Sequence, residues 1–147
     1  MELQNTIKAT GELTIEVRGE NGEIKQTLNA KNLVVSVGKT FIASRIVGTA
    51  SAIMSHMAIG TATATPAAGD TTLGTEAGRV TLASGTSSSN AITYTATFPA
   101  GTGTGAITEA GVLNLGTAGT LLCRTTFPVV NKAAGDSIAI TWVVTIS

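Results

Sequence analysis

The sequence predicts an all-β protein, a β-sandwich of about eight strands with one short α-helix. In most of the second half of the chain, large apolar residues alternate with threonine or other small residues, and glycine-rich turns separate the alternating segments. Because successive side chains of a strand point to opposite faces of the sheet, this alternation is typical of a sheet with one buried face. Short strands at regular spacing with turn residues between them favour a sandwich or a barrel.

The N-terminal part of the chain predicts an arm followed by a charged hairpin. Residues 1–10 are polar and show no sustained period, so we interpret them as an arm or an irregular first strand. Residues 11–30 alternate on both sides of Gly19-Glu20-Asn21-Gly22, and the glycines of this turn can adopt positive φ. Six of the nine acidic and nine basic residues of the chain lie on this hairpin, and residues 11–147 are interpreted as a single domain.

One helix is predicted at residues 37–47, after a short strand at residues 32–36. Val37, Phe41, Ile42, Arg45 and Ile46 follow a helical period and are expected to share one stripe of the helix. We expect the Ser36 hydroxyl to cap the first turn, and Gly48 to end the helix in the left-handed conformation.

The rest of the chain predicts strands joined by loops and turns. The last strand places Ile138, Ile140, Trp142, Val144 and Ile146 on one face. We predict a loop at residues 61–73 and turns at residues 84–90, 101–105, 116–119 and 131–136. The remaining predicted strands are residues 53–60, 79–83, 91–99, 106–115 and 120–130.

Composition limits the kinds of partner this protein is expected to bind. Only 12% of the 147 residues are charged, and nine basic residues balance nine acidic ones. A neutral chain has no long-range field that would attract nucleic acid or an anionic membrane, so neither is a predicted partner. So few charges protect a protein poorly against association, and we therefore expect other subunits to cover much of its surface. The first residues, MELQNTIKAT, contain no apolar stretch and therefore predict no signal peptide. The single cysteine predicts no internal disulfide.

No motif of the sequence predicts a catalytic, cofactor or metal site. Gly101, Gly103 and Gly105 are spaced GxGxG and precede an alternating segment, which favours a hairpin turn over a phosphate-binding loop. His56 is the only histidine, and Cys123 alternates in phase with core residues, so both are interpreted as structural. The sequence therefore predicts a protein that is not an enzyme and needs no cofactor.

Glu109 is the one carboxylate that small neighbours could bury. We expect it to form an ion pair with Arg79 or Arg124, which lie on other predicted strands. The alternative is a small hydrolase that uses Glu109 or His56, but a glycosidase needs two carboxylates on either side of a cleft. We therefore interpret Glu109 as a member of a structural ion pair.

Four segments resemble small virion proteins of tailed bacteriophages. They are NLVVSVGKTFIASRIVG, SHMAIGTATATPAAGDTTLGTE, ITYTATFPAGTGTGAITEAGVLN and LLCRTTFPVVNKAAGDSIAITWVVTIS, which together extend over residues 32–147. In their order and turn motifs these segments are similar to head decoration (cement) proteins and related fibre-associated proteins. The resemblance implies a jelly-roll-like sandwich, and a homotrimer made in the host cytoplasm that binds the capsid exterior and clamps neighbouring subunits of the major capsid protein.

The same resemblance, with the position of the charges, predicts two contact surfaces. The threonine-bearing outer side of the last strand, with Thr141 and Thr145, is the candidate contact between subunits. The alternative function is a tail or tail-fibre component, including a host-attachment module. The candidate capsid contacts are Met1, Glu2, Leu3, Gln4, Asn5, Thr6, Ile7, Lys8, Arg18, Glu20 and Lys25.

Overall fold

The protein is all-β with one short helix, which confirms the predicted fold class. The computed structural model describes residues 6–49 and 52–147. These residues form nine strands and one helix. The elements are β1 (Ala9–Arg18), β2 (Ile24–Val34), α1 (Ser36–Ile46), β3 (His56–Gly60), β4 (Glu76–Thr81), β5 (Ser84–Ser88), β6 (Ala91–Phe98), β7 (Gly105–Leu113), β8 (Leu121–Lys132) and β9 (Ser137–Ile146).

The strands form one curled antiparallel sheet in the order β4-β3-β7-β8-β2-β1-β9-β6-β5. Strand β2 links its two halves, since it pairs with β1 as far as Asn32 and then with β8 through Leu33 and Val34. The two outer strands, β4 and β5, are joined by Leu82 and Ala83. Their backbone N–H groups donate to Ser55 and Thr95 respectively, so the curl brings the outer edges of the sheet close together.

The larger of two clusters of buried apolar residues lies between the two halves of the sheet. It contains Leu13 of β1, Ile59 of β3, Phe98 of β6 and Trp142 of β9, all fully buried. On β9 the predicted apolar face is confirmed from Ile138 to Val144, whereas Ile146 at the end of the strand is half-buried. The indole N–H of Trp142 donates to Asn32 Oδ1 at 2.9 Å, which satisfies the one polar group of this large side chain.

The hairpin of β1 and β2 confirms the predicted turn and is longer than predicted. Gly22 has φ +81° and its N–H donates to the Gly19 carbonyl, so the turn uses the conformational freedom of glycine. The first strand begins at Ala9, within the segment interpreted as an arm or irregular strand, and the second extends to Val34, so the separate short strand at residues 32–36 is wrong.

The helix lies one residue earlier than predicted and lacks the predicted cap. Its N-cap residue is Val35, and no side chain caps the first turn, because Ser36 already has helical conformation. Gly48 ends the helix as predicted, with φ +71° and its N–H donating to the Arg45 carbonyl. At the end of the predicted stripe Ile46 is exposed, because the helix contacts the sheet mainly through its first turns.

Residues 84–88 form a strand and not the predicted turn. Strand β5 pairs in register with β6, from Ser84 opposite Thr95 to Ser88 opposite Ala91. Its side chains are exposed on both faces, so no apolar alternation marks it in the sequence. Backbone pairing alone places this strand at the edge of the sheet.

Candidate functional surfaces

A buried ion pair joins the two central strands of one half of the sheet. Glu109 of β7 is 0% exposed and Arg124 of β8 is 2% exposed. Arg124 donates to Glu109 Oε2 from Nε at 3.0 Å and from its terminal nitrogen at 2.9 Å. The sequence left Arg79 and Arg124 open as partners, and the structure selects Arg124, while Arg79 pairs with Glu76.

This ion pair also holds the long loop at residues 61–75. The backbone N–H groups of Ala62, Gly74 and Thr75 donate to the Glu109 carboxylate at 3.2, 2.9 and 2.7 Å. Arg124 in turn donates to the Asp70 carboxylate at 2.9 Å and to the Ala64 carbonyl at 3.1 Å. We call Glu109, Arg124, Asp70 and the loop groups they bind the loop clamp.

The loop clamp performs a structural task. Both oxygens of Glu109 accept at least two hydrogen bonds, and no part of the residue reaches solvent. A carboxylate in this state has no free lone pair directed at a substrate and no route for a proton. The hydrolase alternative therefore has no support at Glu109.

The surroundings of His56 and Cys123 also favour structural roles for both residues. His56 Nδ1 lies 2.8 Å from Ser55 Oγ, and Cys123 is fully buried between β7 and β2. Burial raises the pKa of the Cys123 thiol, which disfavours the nucleophilic thiolate. No hydrogen bond joins these two side chains in the part of the chain that the structure describes.

Residues 6–49 and 52–147 contain neither a cluster of metal-binding side chains nor a membrane-spanning helix. No group of three histidine, cysteine, aspartate or glutamate side chains in these ranges is placed to hold a metal ion. The one helix described there is too short to cross a membrane.

The most unusual surface of the protein surrounds α1. Ile7, Ile46, Val47 and Ile53 are 80%, 82%, 79% and 64% exposed. The helix is seated at Gly38, where a side chain would collide with the Leu122 backbone. Farther along, Phe41 and Ile42 are partly buried against the core, whereas Ile46 at the end of the helix and the following Val47 are exposed to solvent. We call this region the α1 end.

Two open grooves lie on either side of α1. The first has a volume of about 500 Å³ and is lined by residues 6–10, by Lys39, Ile42, Ala43 and Ile46 of the helix, and by Ile146. We call it the N-terminal slot. The second, of about 580 Å³, lies between the helix and β6, and its lining includes Ile53, Ile92 and Tyr94. Burial raises the pKa of Tyr94 to about 12.

The predicted capsid contacts fall at two distant places. Met1, Glu2, Leu3, Gln4 and Asn5 lie outside the described residues. Thr6, Ile7 and Lys8 are exposed at the α1 end, whereas Arg18, Glu20 and Lys25 surround the hairpin turn at the other end of β1. A strand rises about 3.4 Å per residue, so roughly 30 Å separates Lys8 from Arg18. The two groups therefore do not form one compact contact surface.

The charges at the hairpin turn are already engaged within the protein. Arg18 donates to Glu16 Oε1 at 2.5 Å and to the Gly22 carbonyl at 2.9 Å. Lys25 Nζ donates to the Asp136 carboxylate at 2.9 Å, and this hydrogen bond lowers the pKa of Asp136. Glu20 is exposed. These partly exposed pairs leave the turn charged and accessible.

Thr141 and Thr145 lie on the outer face of β9, in the middle of their half of the sheet. Thr141 is exposed and stands in register between Thr14 of β1 and Thr95 of β6. Thr145 is half-buried beside Thr10. The structure thus places the two residues on a broad face that also carries Thr14 and Thr95.

The α1 end is the surface that sequence reasoning missed. The available signal was that the apolar residues from Val37 to Val47 are too many for one buried stripe. Without the tertiary structure, nothing distinguished those that contact the sheet from those left exposed.

Comparison of the chain with protein-family models, with curated proteins and with solved structures found no match. The function is therefore inferred from the geometry described above and from the resemblance of the four segments.

Proposed function

We propose that this protein is a structural virion protein that binds the outside of a phage capsid as a homotrimer and stabilises neighbouring subunits of the major capsid protein. The observation that carries the assembly part of the proposal is the α1 end, where four large apolar side chains are mostly exposed. The resemblance of residues 32–147 to head decoration proteins supplies the kind of assembly.

Exposed apolar side chains that lie together mark surfaces that other molecules cover. Ile7, Ile46, Val47 and Ile53 differ in this respect from apolar residues scattered singly over a surface, because they surround one helix and its two grooves. The net charge of zero adds no repulsion between copies. Both features favour a protein that works as part of an assembly.

We assign the capsid contact to the hairpin turn with Arg18, Glu20 and Lys25. The turn is exposed, carries charges of both signs, and lies at the end of the molecule opposite α1. Charged groups at the rim of an interface orient a partner before contact, and their effect weakens with salt. The loop clamp supports the same proposal, since it gives a weakly charged protein a rigid long loop.

The location of the protein on the particle tests the proposal directly. Cryo-electron microscopy of the phage is expected to show its density on the outside of the capsid. Density at the tail would contradict the proposal and favour the alternative of a tail or tail-fibre component, including a host-attachment module.

A binding assay tests the assigned contact. Purified protein is mixed with capsids that lack it, and the bound fraction is measured by sedimentation. Replacing Arg18, Glu20 and Lys25 together with alanine is expected to weaken binding at least ~10-fold at low salt. The matched control replaces Glu12 and Lys31, which are Cα partners on the same hairpin but lie away from the turn. Equal effects of the two variants would refute the assigned contact.

A further inference from the structure

Strand β5 forms one outer edge of the sheet, and it lacks the features that usually protect such an edge. It stands last in the strand order and pairs with β6 on one side only. Its five residues, Ser84–Ser88, include no charged residue and no proline, and their register with β6 contains no bulge. Charges, prolines and bulges are the usual means by which an edge strand avoids pairing with another chain.

The other outer strand, β4, has such protection. It carries Glu76 and Arg79, which form an ion pair, and its register with β3 contains a shift. The turn at Gly103 also covers part of it, since a Cβ at Gly78 would lie 3.0 Å from the Gly103 nitrogen. The two outer strands come together at their junction, but all five residues of β5 remain exposed. The contrast singles out β5 as the edge that is open to another strand.

The backbone groups that β5 leaves free follow from its hairpin with β6. Ser88 and Ala91 are partners on either side of the two-residue turn at 89–90, so they are hydrogen-bonded to each other. Hydrogen-bonded and non-hydrogen-bonded pairs alternate along an antiparallel ladder. Every second residue, counted back from Ser88, therefore turns its N–H and C=O towards β6. The groups of Gly85 and Ser87 point outward, and no described residue pairs with them.

We propose that β5 pairs antiparallel with β5 of a second copy of this chain, about a two-fold axis at Thr86. Gly85 of each copy then lies opposite Ser87 of the other, and each of these pairs exchanges both of its backbone hydrogen bonds. The sheet of one copy continues into the sheet of the other across the axis, so the outward groups of both strands are satisfied.

The side chains of β5 make the strand complementary to itself. In the two-fold arrangement Thr86 faces its own counterpart and Ser84 faces Ser88, so small hydroxyl side chains meet each other. No like charges come together, and no side chain is larger than threonine, so the backbones can approach to the ~4.8 Å of neighbouring strands. The strand offers an unrelated partner neither a charge nor an apolar side chain to recognise. These features favour a second copy as the occupant.

The size of the contact fits a link between assemblies. A strip about 17 Å long and about 10 Å deep is far smaller than the ~800 Å² per partner of a standard interface. The pairing is therefore expected to be weak in solution and to become effective where copies are held side by side. A two-fold contact also differs from the contact within a trimer, which is heterologous. On the capsid it would join neighbouring trimers, and in this respect the inference rests on the proposed function.

Disulfide trapping tests the pairing in full-length variants with one added cysteine. Thr86→Cys places a thiol opposite its own counterpart, in a non-hydrogen-bonded pair with a Cα separation of about 4.5 Å, where a disulfide can form. The matched control Ser88→Cys is also exposed and lies on the same face, but about 14 Å would separate it from its counterpart. Because Cys123 is buried, the unmodified protein gives the background.

Under mild oxidation at about 1 mM protein, Thr86→Cys is expected to form disulfide-linked pairs at least about 10-fold faster than Ser88→Cys. A mixture of Ser84→Cys with Ser88→Cys is expected to react faster than either variant alone, since these positions face each other. Denaturing gels without reductant measure the rates, and circular dichroism checks folding. Equal rates for Thr86→Cys and Ser88→Cys, or a mixture no faster than its components, would overturn the inference.

The capsid assay separates this inference from the proposed function. If the inference fails, Thr86→Cys and Ser88→Cys cross-link at the same rate, whatever their binding to capsids. If the proposed function fails, the unmodified protein does not bind capsids, whatever the rates of cross-linking.

Discussion

The loop at residues 61–75 and the helix α1 are both connections between strands, but the protein holds them in different ways. The loop has no regular structure, yet Glu109 and Arg124 bind its backbone from two buried positions. The helix has its own hydrogen bonds, yet Gly38 is the only one of its residues that is fully buried, and its last residues are exposed.

The difference shows where each region obtains its stability. The loop clamp is complete within one chain, because every charge in it has a partner within about 3 Å. The α1 end is incomplete within one chain, because its apolar side chains lack a cover among the described residues. The stability of the loop clamp is therefore expected to depend only on the folding of one chain. The stability of the α1 end is expected to depend also on assembly with other molecules.

The largest expected effect concerns the loop clamp. Glu109→Gln keeps the shape of the side chain but leaves the Arg124 charge buried without its main counter-charge. Removing one partner of a buried pair typically costs about 3–5 kcal/mol. Urea denaturation of the two proteins measures the difference in the free energy of unfolding.

The matched control for this variant is Glu76→Gln. Glu76 pairs with Arg79 at 2.6 Å, but its side chain is partly exposed, and such pairs contribute about 0–1 kcal/mol. If Glu109→Gln were no more destabilising than Glu76→Gln, the clamp would not be what holds the loop.

The next effect concerns the contact between α1 and β8 at Gly38. Gly38→Ala would place a Cβ against the backbone of Leu122, and forcing an atom into a packed contact costs about 1–3 kcal/mol. The same exchange in an open helix position would stabilise by about 1 kcal/mol. Thermal unfolding gives the sign, and hydrogen exchange of the α1 amides is expected to accelerate.

Gly69→Ala, in the clamped loop, is the control for the glycine exchange. A Cβ at Gly69 meets no atom within 4 Å, so the variant is expected to leave the stability unchanged or to raise it by up to about 1 kcal/mol. A stabilising Gly38→Ala would show that α1 is not seated at this glycine.

The smallest effect is a pH dependence caused by the buried thiol of Cys123. The folded protein raises the pKa of Cys123 by burial, so above the ordinary thiol pKa of about 8.5 the unfolded chain loses a proton that the folded chain keeps. Stability from this group is therefore complete below that pH and falls as pH rises, by about 1.4 kcal/mol per pH unit.

The pH dependence of the stability of Cys123→Ala is the control, because this variant keeps the other groups that titrate at alkaline pH and lacks only the thiol. Among them is Tyr94, whose pKa burial raises to about 12; because tyrosine in an unfolded chain titrates near pH 10, the loss of stability from Tyr94 begins only above about pH 10. Between pH 8.5 and 10, the unfolding free energy of the unmodified protein is expected to fall more steeply than that of Cys123→Ala. Parallel curves would show that the thiol is accessible to solvent.

Local patterns predicted much of the fold and little of the candidate surfaces. The alternation on β9 and the glycines at Gly22 and Gly48 were sufficient for strands and turns, because these depend on neighbours in sequence. Strand β5 was missed, because its side chains are exposed on both faces and only pairing with β6 defines it. The exposure of Ile46 was also missed, since helical periodicity does not show how much of a helix touches the sheet.

By itself, the sequence determined the all-β class, the positions of most turns, the buried face of β9 and the pairing of Glu109 with one of two arginines. These follow from the alternation of side chains and the conformations open to glycine, which act over a few residues. The tertiary structure decided which arginine pairs with Glu109, that β2 leaves β1 after Asn32, and that α1 leaves the N-terminal slot open. These features depend on how distant strands curl around a shared core, and no local pattern encodes that curvature.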